Sequence, residues 1–505
     1  MTQINPAELA FAQWQAQEEQ YRQREVVTAR AYYEGALVVY LTERIRNLLG
    51  LQASADVKLK INIIRPIINA LVERMAVKGF RAVVPTAQAG DDESASDAAN
   101  AARAWAEWLW KANLLDIKQD DIAIDTANEG EAFIVVDWDK DHARPRFIPH
   151  PRYTDPTVSS VQAGDKKNPR ETGAGDGFGC KIFYANDDPN QDVIRASKRW
   201  REELGAGKAR LRLTEYYPDR IEKYVVEGAK LTPIRDEGDA AWPLPWVDGA
   251  GEPLGVPVFH ATAAAMRPGA IDAWGAQDAI VQAFIDLLAG NRIAAFRIFK
   301  AFGFYPTTDG QDPKSDRSNW LALEPGAIIG TRSKGPQDAA FEPIDGASPA
   351  AFLDTLDKLI YYAATTTDTP LSRFQMTGQV ASEATQKEYK EPLLARILRL
   401  QTRIGVAWSQ AFGMALKLER LYGDAILPEG ASFDVMWHPL EKRSIDDLGK
   451  EASAKKASGV PEETIWREVW GYSEEQIAAM KGEDSYQQRQ ALVAGALGAQ
   501  GARNG

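Results

Sequence analysis

The chain has 505 residues, 45% hydrophobic and 26% charged, an ordinary globular composition with length for roughly three or four domains. A formal net charge of −12 excludes a generic electrostatic binder of nucleic acid, and the single cysteine, Cys180, excludes an internal disulfide or a cysteine-cluster metal site. No apolar run reaches the roughly 18 residues a membrane helix needs, and Thr2, Gln3 and Glu8 do not suit a signal peptide, so a soluble, cytosolic protein is expected.

In chain order, Asn5-Pro6-Ala7-Glu8 has the form of a capping box with proline at the first helical position. A helix is predicted from there towards Gly35, with Phe11, Trp14, Tyr21 and Tyr32 as its apolar members. Ala36 to Leu49 reads as a second helix. Ile61 to Ile64 reads as a short strand-like run, and Pro66 opens a helix that Gly79 would end as a left-handed cap. The acidic stretch Ala87 to Asp97 reads as an exposed loop. Trp105, Trp108, Leu109 and Ala112 mark another helix, and Ile117 to Asn128 a further one that stops near Gly130. Glu131 to Trp138 is predicted as a strand, and Leu211 to Tyr216 with Ile221 to Val226 as a hairpin around Tyr217-Pro218-Asp219-Arg220. Thr154 to Gly179 is a Gly-, Asp- and Lys-rich loop. The amino half is therefore read as α+β with a small antiparallel sheet.

Trp242 to Gly255 reads as a connector. A long apolar stripe follows: Ile271, Trp274, Ile280, Ala283, Phe284, Leu287, Leu288, Ala294, Ala295, Ile298 and Phe302, predicting one helix of about eight turns. The Pro/Gly-rich insert Gly303 to Ser348 has room for strands around Trp320 to Leu323 and Ala327 to Thr331. A return helix carries Phe352, Leu356, Leu359, Ile360 and Ala363; the loop Thr365 to Gln386 leads into a long helix over Tyr389 to Leu418. Ser432 to Trp437 is a strand candidate, followed by helices over Ser444 to Ser458, Pro461 to Val469 and Ser473 to Met480. The last twenty residues are rich in Gln, Ala and Gly.

No catalytic constellation emerges. The run Gly173 to Gly179 lacks the Lys-Ser/Thr of a phosphate loop. His142, His150, His260 and His438 have no ligand-like spacing, Asn186-Asp187-Asp188 with Asp192 lacks the closing Glu of a calcium loop, and Asp120-Asp121 do not face one target on a helix. No G-x-S-x-G elbow occurs.

The charges are more informative. Asp272, Asp278 and Asp286 sit early in the long stripe and Arg292, Arg297 and Lys300 late, as the helix macrodipole favours. Arg396, Arg399 and Arg403 share one face of the long helix, opposite Leu393, Ile397, Leu400, Ile404, Ala411 and Leu418, and acidic partners are expected for them. Gly405 and Gly413 lie inside that helix at a cost of about 1 kcal/mol each, so close packing is expected there. Pro370 and Gly378 bracket a loop able to change shape without unfolding its flanks.

Several segments, in order, resemble the portal proteins of tailed double-stranded-DNA bacteriophages: Asn62 to Asn69, Val77 to Phe80, Trp110 to Asp116, Glu129 to Val136, Gly255 to Val258, Thr369-Pro370, Ala381 to Ala384 and Trp437-His438-Pro439. Their order carries the likeness, which spans roughly residues 20 to 480. The resemblance implies a mainly helical α+β fold with wing, stem, clip and crown, assembled as a ring. Residues 1–270 would form the wing, 271–301 the first stem helix, 302–348 the clip, and 349–365 the second stem helix. Residues 366–386 would be the tunnel loop, 387–445 the long helix and return, and 446–505 the crown and tail.

It further implies a non-enzymatic dodecamer at the capsid vertex, a channel for DNA packaging and ejection, in the virion and in host cytoplasm during assembly. Partners would be other copies, the major capsid protein, the terminase large subunit, a head-tail adaptor, and double-stranded DNA read without sequence specificity. No cofactor and no metal is expected. Channel residues would be Ser372, Arg373, Phe374, Gln375, Met376, Thr377 and Gln379 of the tunnel loop, with Arg292, Arg297 and Lys300 as DNA-proximal cations. Lys314, Arg317, Trp320, Arg332 and Lys334 would receive partners at the clip. An acidic wall suits sliding, because neutralising many phosphates would give tight, salt-dependent binding that opposes movement. Arg373 and Lys300 would then centre or brake the duplex. The competing readings are a monomeric helical scaffold and a metal-dependent nuclease assembled from scattered carboxylates.

Overall fold

The computed structural model describes residues 17–36, 61–85, 92–154, 178–188, 191–205, 208–227, 230–295, 299–302, 328–331, 340–343, 349–374, 383–440, 445–472 and 474–482. They form a mixed α+β, mainly helical protein. It divides into two compact units, Met1–His438 and Pro439–Gly505. The expected capping box at Asn5, the helix over Ala36 to Leu49 and the Gly-rich run 173–177 lie outside the described residues.

Helix α1 (Gln17–Glu34) ends at Gly35, which takes a φ of 63°. Ile61 to Ile64 is not strand-like. The Asn62 side chain accepts from the backbone N–H of Ile64 (2.9 Å) and Arg65 (3.2 Å), which starts helix α2 (Ile64–Val72). Pro66 fits its first turn, where no N–H is needed. The helix stops well before Gly79, which lies instead in strand β1 (Val77–Val83) beside a bulge.

Helix α3 (Asp92–Ala112) begins inside the stretch expected to be a loop; its early alanines favour helix over coil. Leu114, at a φ of 55°, turns the chain into helix α4 (Leu115–Glu129). Gly130 ends α4 at a φ of 93°, and a Cβ there would lie 2.5 Å from the Met266 carbonyl, so only glycine fits.

Strands β2 (Glu131–Asp139) and β3 (Arg144–Pro151) form a hairpin. A seven-stranded sheet follows: β4 (Tyr153–Thr154), β5 (Phe178–Tyr184), β6 (Val193–Gly205), β7 (Lys208–Tyr216), β8 (Arg220–Glu227), β9 (Lys230–Pro233) and β10 (Leu244–Pro245). Its path is β10-β8-β7-β6-β5-β4, with β9 also on β8. The β7–β8 hairpin stands as expected, whereas β5 begins within the expected loop. Strand β11 (Val258–Thr262) joins the free side of β2, giving the order β11-β2-β3. Phe133 and Val135 from β2 pack with Cys180, Ile182, Ala196, Val256 and Val258 between the two sheets.

A 3-10 turn over Ile271–Ala273 leads into helix α5 (Trp274–Ala295). The stripe expected to continue as helix to Phe302 does not. Phe299–Phe302 is strand β12, parallel to β13 (Ile328–Thr331) and antiparallel to β14 (Ala340–Pro343). An apolar run of aromatic residues suits either structure, and partners distant in sequence decide it. Helix α6 (Pro349–Thr366) returns within a residue of its expected bounds. Helix α7 (Glu383–Tyr422) runs for 40 residues and starts inside the expected tunnel loop. Strand β15 (Ser432–Trp437) pairs antiparallel with β1.

Helix α7 organises the core of the first unit. Phe412 lies 4.3 Å from Phe80 and 4.8 Å from Phe147, ring centre to ring centre, and Trp408 lies 5.1 Å from Trp110. These rings join α3, β1, β3 and α7 in one aromatic cluster, each worth about 1.5–3 kcal/mol for its burial. Gly405 packs against Trp437, whose ring would be 3.5 Å from a Cβ. Gly413 does not meet the expectation of close packing: among the described residues nothing lies within 4 Å of a Cβ there.

The second unit contains helices α8 (Ile445–Ala457), α9 (Glu462–Glu468) and α10 (Glu474–Gly482). Lys455 reaches Glu468 at 2.9 Å and Lys481 reaches Glu463 at 2.7 Å, tying the three together. No helix among the described residues is long and apolar enough to cross a membrane.

Candidate functional site

Helices α5 and α6 pack as an antiparallel pair that brackets β12–β14. Gly290 of α5 lies against Phe352 near the start of α6, where a Cβ would be 3.2 Å from the ring, while the 3-10 turn leading into α5 also packs on α6. Glycine at 290 therefore lets the two helices approach closely. Leu353, Tyr361 and Tyr362 of α6 are 51–62% exposed, so part of its apolar surface is uncovered among the described residues.

The carboxyl end of α6 is built to stop. The hydroxyls of Thr365 and Thr367 donate to the carbonyls of Tyr361 (2.9 Å) and Ala363 (2.7 Å), and Thr366 does the same to Tyr362. Asp368 then takes a φ of 51°, the Thr369 N–H donates to the Ala364 carbonyl at 2.9 Å, and Pro370 bars further helix. The buried hydroxyls of Thr367 and Thr369 lie 3.0 Å apart.

Two arginines fix this root. Arg396 of α7 donates to the Thr367 carbonyl and, at 2.9 Å, to the Gly269 carbonyl just before the turn into α5. One guanidinium thus joins both ends of the α5–α6 pair to the long helix. Its partners are carbonyls rather than the expected acids, with Asp368 and Asp272 nearby. Arg399 and Arg403 are exposed, and Arg403 reaches the Thr262 hydroxyl at 3.5 Å. Arg373 makes a bidentate pair with Glu73 at the end of α2, at 3.0 and 2.5 Å.

These contacts place the predicted residues as follows. Ser372, Arg373 and Phe374 lie on the anchored root, where Arg373 pairs with Glu73. Gln375, Met376, Thr377 and Gln379 lie outside the described residues. Arg292 is half-buried near the end of α5, and Arg297 lies outside the described residues. Lys300 is not on a helix; it sits in β12 opposite Ile329 and Glu342. Lys314, Arg317, Trp320, Arg332 and Lys334 lie outside the described residues.

A buried charge cluster, absent from the sequence reading, holds α1 on the body. Arg30 pairs with both oxygens of Glu129, one at 2.8 Å, and Arg22 donates to Glu131 at 3.1 Å and to the Glu129 carbonyl at 2.7 Å. Glu131 also lies 2.9 Å from His260 Nε2 and 3.9 Å from Arg152, and the Tyr184 hydroxyl lies 3.2 Å from His260 Nδ1. Burial opposes the Glu131 charge, but Arg152, the His260 hydrogen bond and Arg22 outweigh it and hold the carboxyl well below the usual range. Glu129 goes the other way: burial raises it despite Arg30 and Arg22. Arg22 and Arg30 stand some hundred residues before their acids, so no local spacing signals the pairs.

His142 pairs with Asp139 (2.9 Å) and His150 Nδ1 faces the Pro151 carbonyl (2.9 Å). Among the described residues no group of three or more His, Cys, Asp or Glu is disposed to hold a metal ion. No protein-family model matches the chain, and no match emerges among the curated proteins.

Proposed function

We propose that this chain is the subunit of a portal ring: a channel for double-stranded DNA at a phage capsid vertex, and the docking platform for a terminase and a head-tail adaptor. The carrying observation is the order from Trp274 to Tyr422: a close-packed helix pair bracketing a small β module, an anchored loop root, then a 40-residue helix. In this reading α5 and α6 form the stem, β12–β14 belong to the clip, and the segment after Phe374 faces the channel. The uncovered Leu353, Tyr361 and Tyr362 supply apolar surface for a neighbouring copy. The net charge of −12 per subunit keeps a passing duplex from being gripped.

In this reading the exposed Arg373–Glu73 pair fastens the loop root, and Arg373 keeps its proposed part in centring or braking the duplex when that pair opens. The test is imaging of the purified full chain with native mass measurement. Closed rings with a central hole, about twelve-fold, are expected; a monomer under every condition, including within virions, would refute the proposal.

A further inference from the structure

Beside the edge of the β11-β2-β3 sheet lies a cleft of about 1370 Å³. One wall is a single face of α7: Arg403, Val406, Gln410, Gly413, Lys417 and Arg420. The opposite wall is Ile182 and Tyr184 of β5 with Val193 of β6. The free edge of β11 forms the floor between them.

The hydrogen-bond parity of β11 defines that edge. The Pro257 carbonyl accepts from Val136 at 2.9 Å, and the Ala263 N–H donates to the Gly130 carbonyl at 2.8 Å. Odd-numbered residues therefore face β2, and Val258, His260 and Thr262 turn their N–H and C=O groups into the cleft. Among the described residues no strand pairs with that side. The strand carries none of the usual blocks against pairing: no proline, no lysine and no bulge.

Gly413 is the second, independent observation. Glycine inside a helix is a standing cost, and here nothing among the described residues comes within 4 Å of where a Cβ would sit. Val406, on the same face, is 53% exposed. A backbone passing close to this face would account for both.

The geometry points to a β-strand-addition site that takes an extended segment of a separate protein as a fourth strand on β11. A folded sheet edge from a second copy does not suit, because the β11 edge is recessed between two layers and only a thin segment enters. Side-chain requirements follow from the walls. Helix α7 runs antiparallel to the segment from Leu254 to Thr262: Lys417 donates to the Leu254 carbonyl at 3.0 Å, and Arg403 meets Thr262 at the other end. Lys417 is bound to that carbonyl and Arg420 pairs with Glu429 at 3.2 Å, which leaves Arg403 as the cation best placed for an incoming acid. From Arg403 to Gly413 is about 15 Å along a helix, or about four residues of a strand. The ligand is therefore an extended peptide with an acidic residue at one position and a large apolar residue four away, both on the face towards α7.

The test uses the full-length chain and fluorescent seven-residue peptides of Val and Thr carrying Asp and Leu four apart, in both orders. Saturable anisotropy is expected for one order. It weakens at least about tenfold when Gly413→Phe fills the cleft or Arg403→Glu repels the acid. N-methylation of alternate peptide nitrogens abolishes binding in one register and spares it in the other, which a side-chain-only site would not do. Unchanged melting of both variants shows that they fold. Absence of binding by either order, or binding indifferent to Gly413→Phe and to N-methylation, overturns the proposal. So does self-association that Gly413→Phe abolishes while the peptides fail to bind, since the occupant is then another copy. Ring assembly is read separately, so failure here leaves the portal reading standing.

Discussion

Removing Arg30 tests what holds α1 in place. Glu129 is 1% exposed, and Arg30 contacts both its carboxylate oxygens. Truncation to alanine leaves a buried carboxylate with only its more distant neighbours, a loss of about 3–5 kcal/mol by the usual cost of breaking a buried pair. The loss depends on pH, with a definite sign. Burial already raises the Glu129 pKa above its unfolded value, so its contribution is complete at low pH and is lost as pH rises through the folded value. Without Arg30 that value climbs further, and the deficit of Arg30→Ala grows from pH 4 to pH 8. Urea denaturation at both pH values, with Glu129→Gln and the double variant, closes the cycle. A coupling of about 1.5 kcal/mol or more at pH 8, shrinking at pH 4, is expected. Equal losses at the two pH values, or a loss under about 1 kcal/mol at pH 8, would refute the argument.

Three further outcomes follow from single sites. Gly413→Ala should raise stability by about 0.5–1 kcal/mol in denaturant, because its Cβ enters open space. Burial pushes the Glu215 carboxyl up to about 8, against its Ser197 hydrogen bond and Arg195, with Glu222 opposite adding to the shift. Its contribution is thus full below the unfolded value and lost as pH rises through about 8; a decline of a few kcal/mol between pH 5 and 9 is expected, and Glu215→Gln should flatten it in pH-dependent melts. Arg396→Ala should cost about 1–3 kcal/mol and expose the 367–374 root to limited proteolysis, with Arg396→Lys rescuing only in part, since an ammonium lacks the fork that reaches both carbonyls.

Local signals made part of this fold legible. Gly130 ends α4 because only glycine tolerates both the φ of 93° and the Met266 backbone, and the turn at 217–219 joins β7 to β8 as its proline and aspartate indicate. Helix α6 and strand β15 stand close to their expected bounds for the same reason. Strand β6 was hidden because its sequence is dense in charge. Part of that charge is met across strands: Glu202 takes Arg210 and also Arg212 at 3.0 Å, and Arg212 in turn reaches Asp236 at 2.7 Å. Strand β12 was hidden because its apolar residues continue a helical stripe, and only pairing with β13 and β14 selects the extended form. The loop root was legible in its bracket, Pro370, but not in its anchors. Glu73 lies 300 residues before Arg373, and Gly269 lies 127 before Arg396.

The two anchors together make the root mechanically distinct from the helices it terminates. Arg396 binds the turn into α5 and the end of α6 through one side chain, so the two ends of the pair cannot separate from α7 independently. Arg373 fastens the next turn to α2 through an exposed pair, which is weak in water and screened by salt. Strain carried down α5 and α6 therefore meets a firm point at Thr367 and a yielding one at Arg373, six residues on. Between them lie Asp368 in a left-handed conformation and Pro370, both of which resist being drawn into helix. A displacement of the pair is then taken up at the Arg373–Glu73 contact before it reaches the core around Phe412.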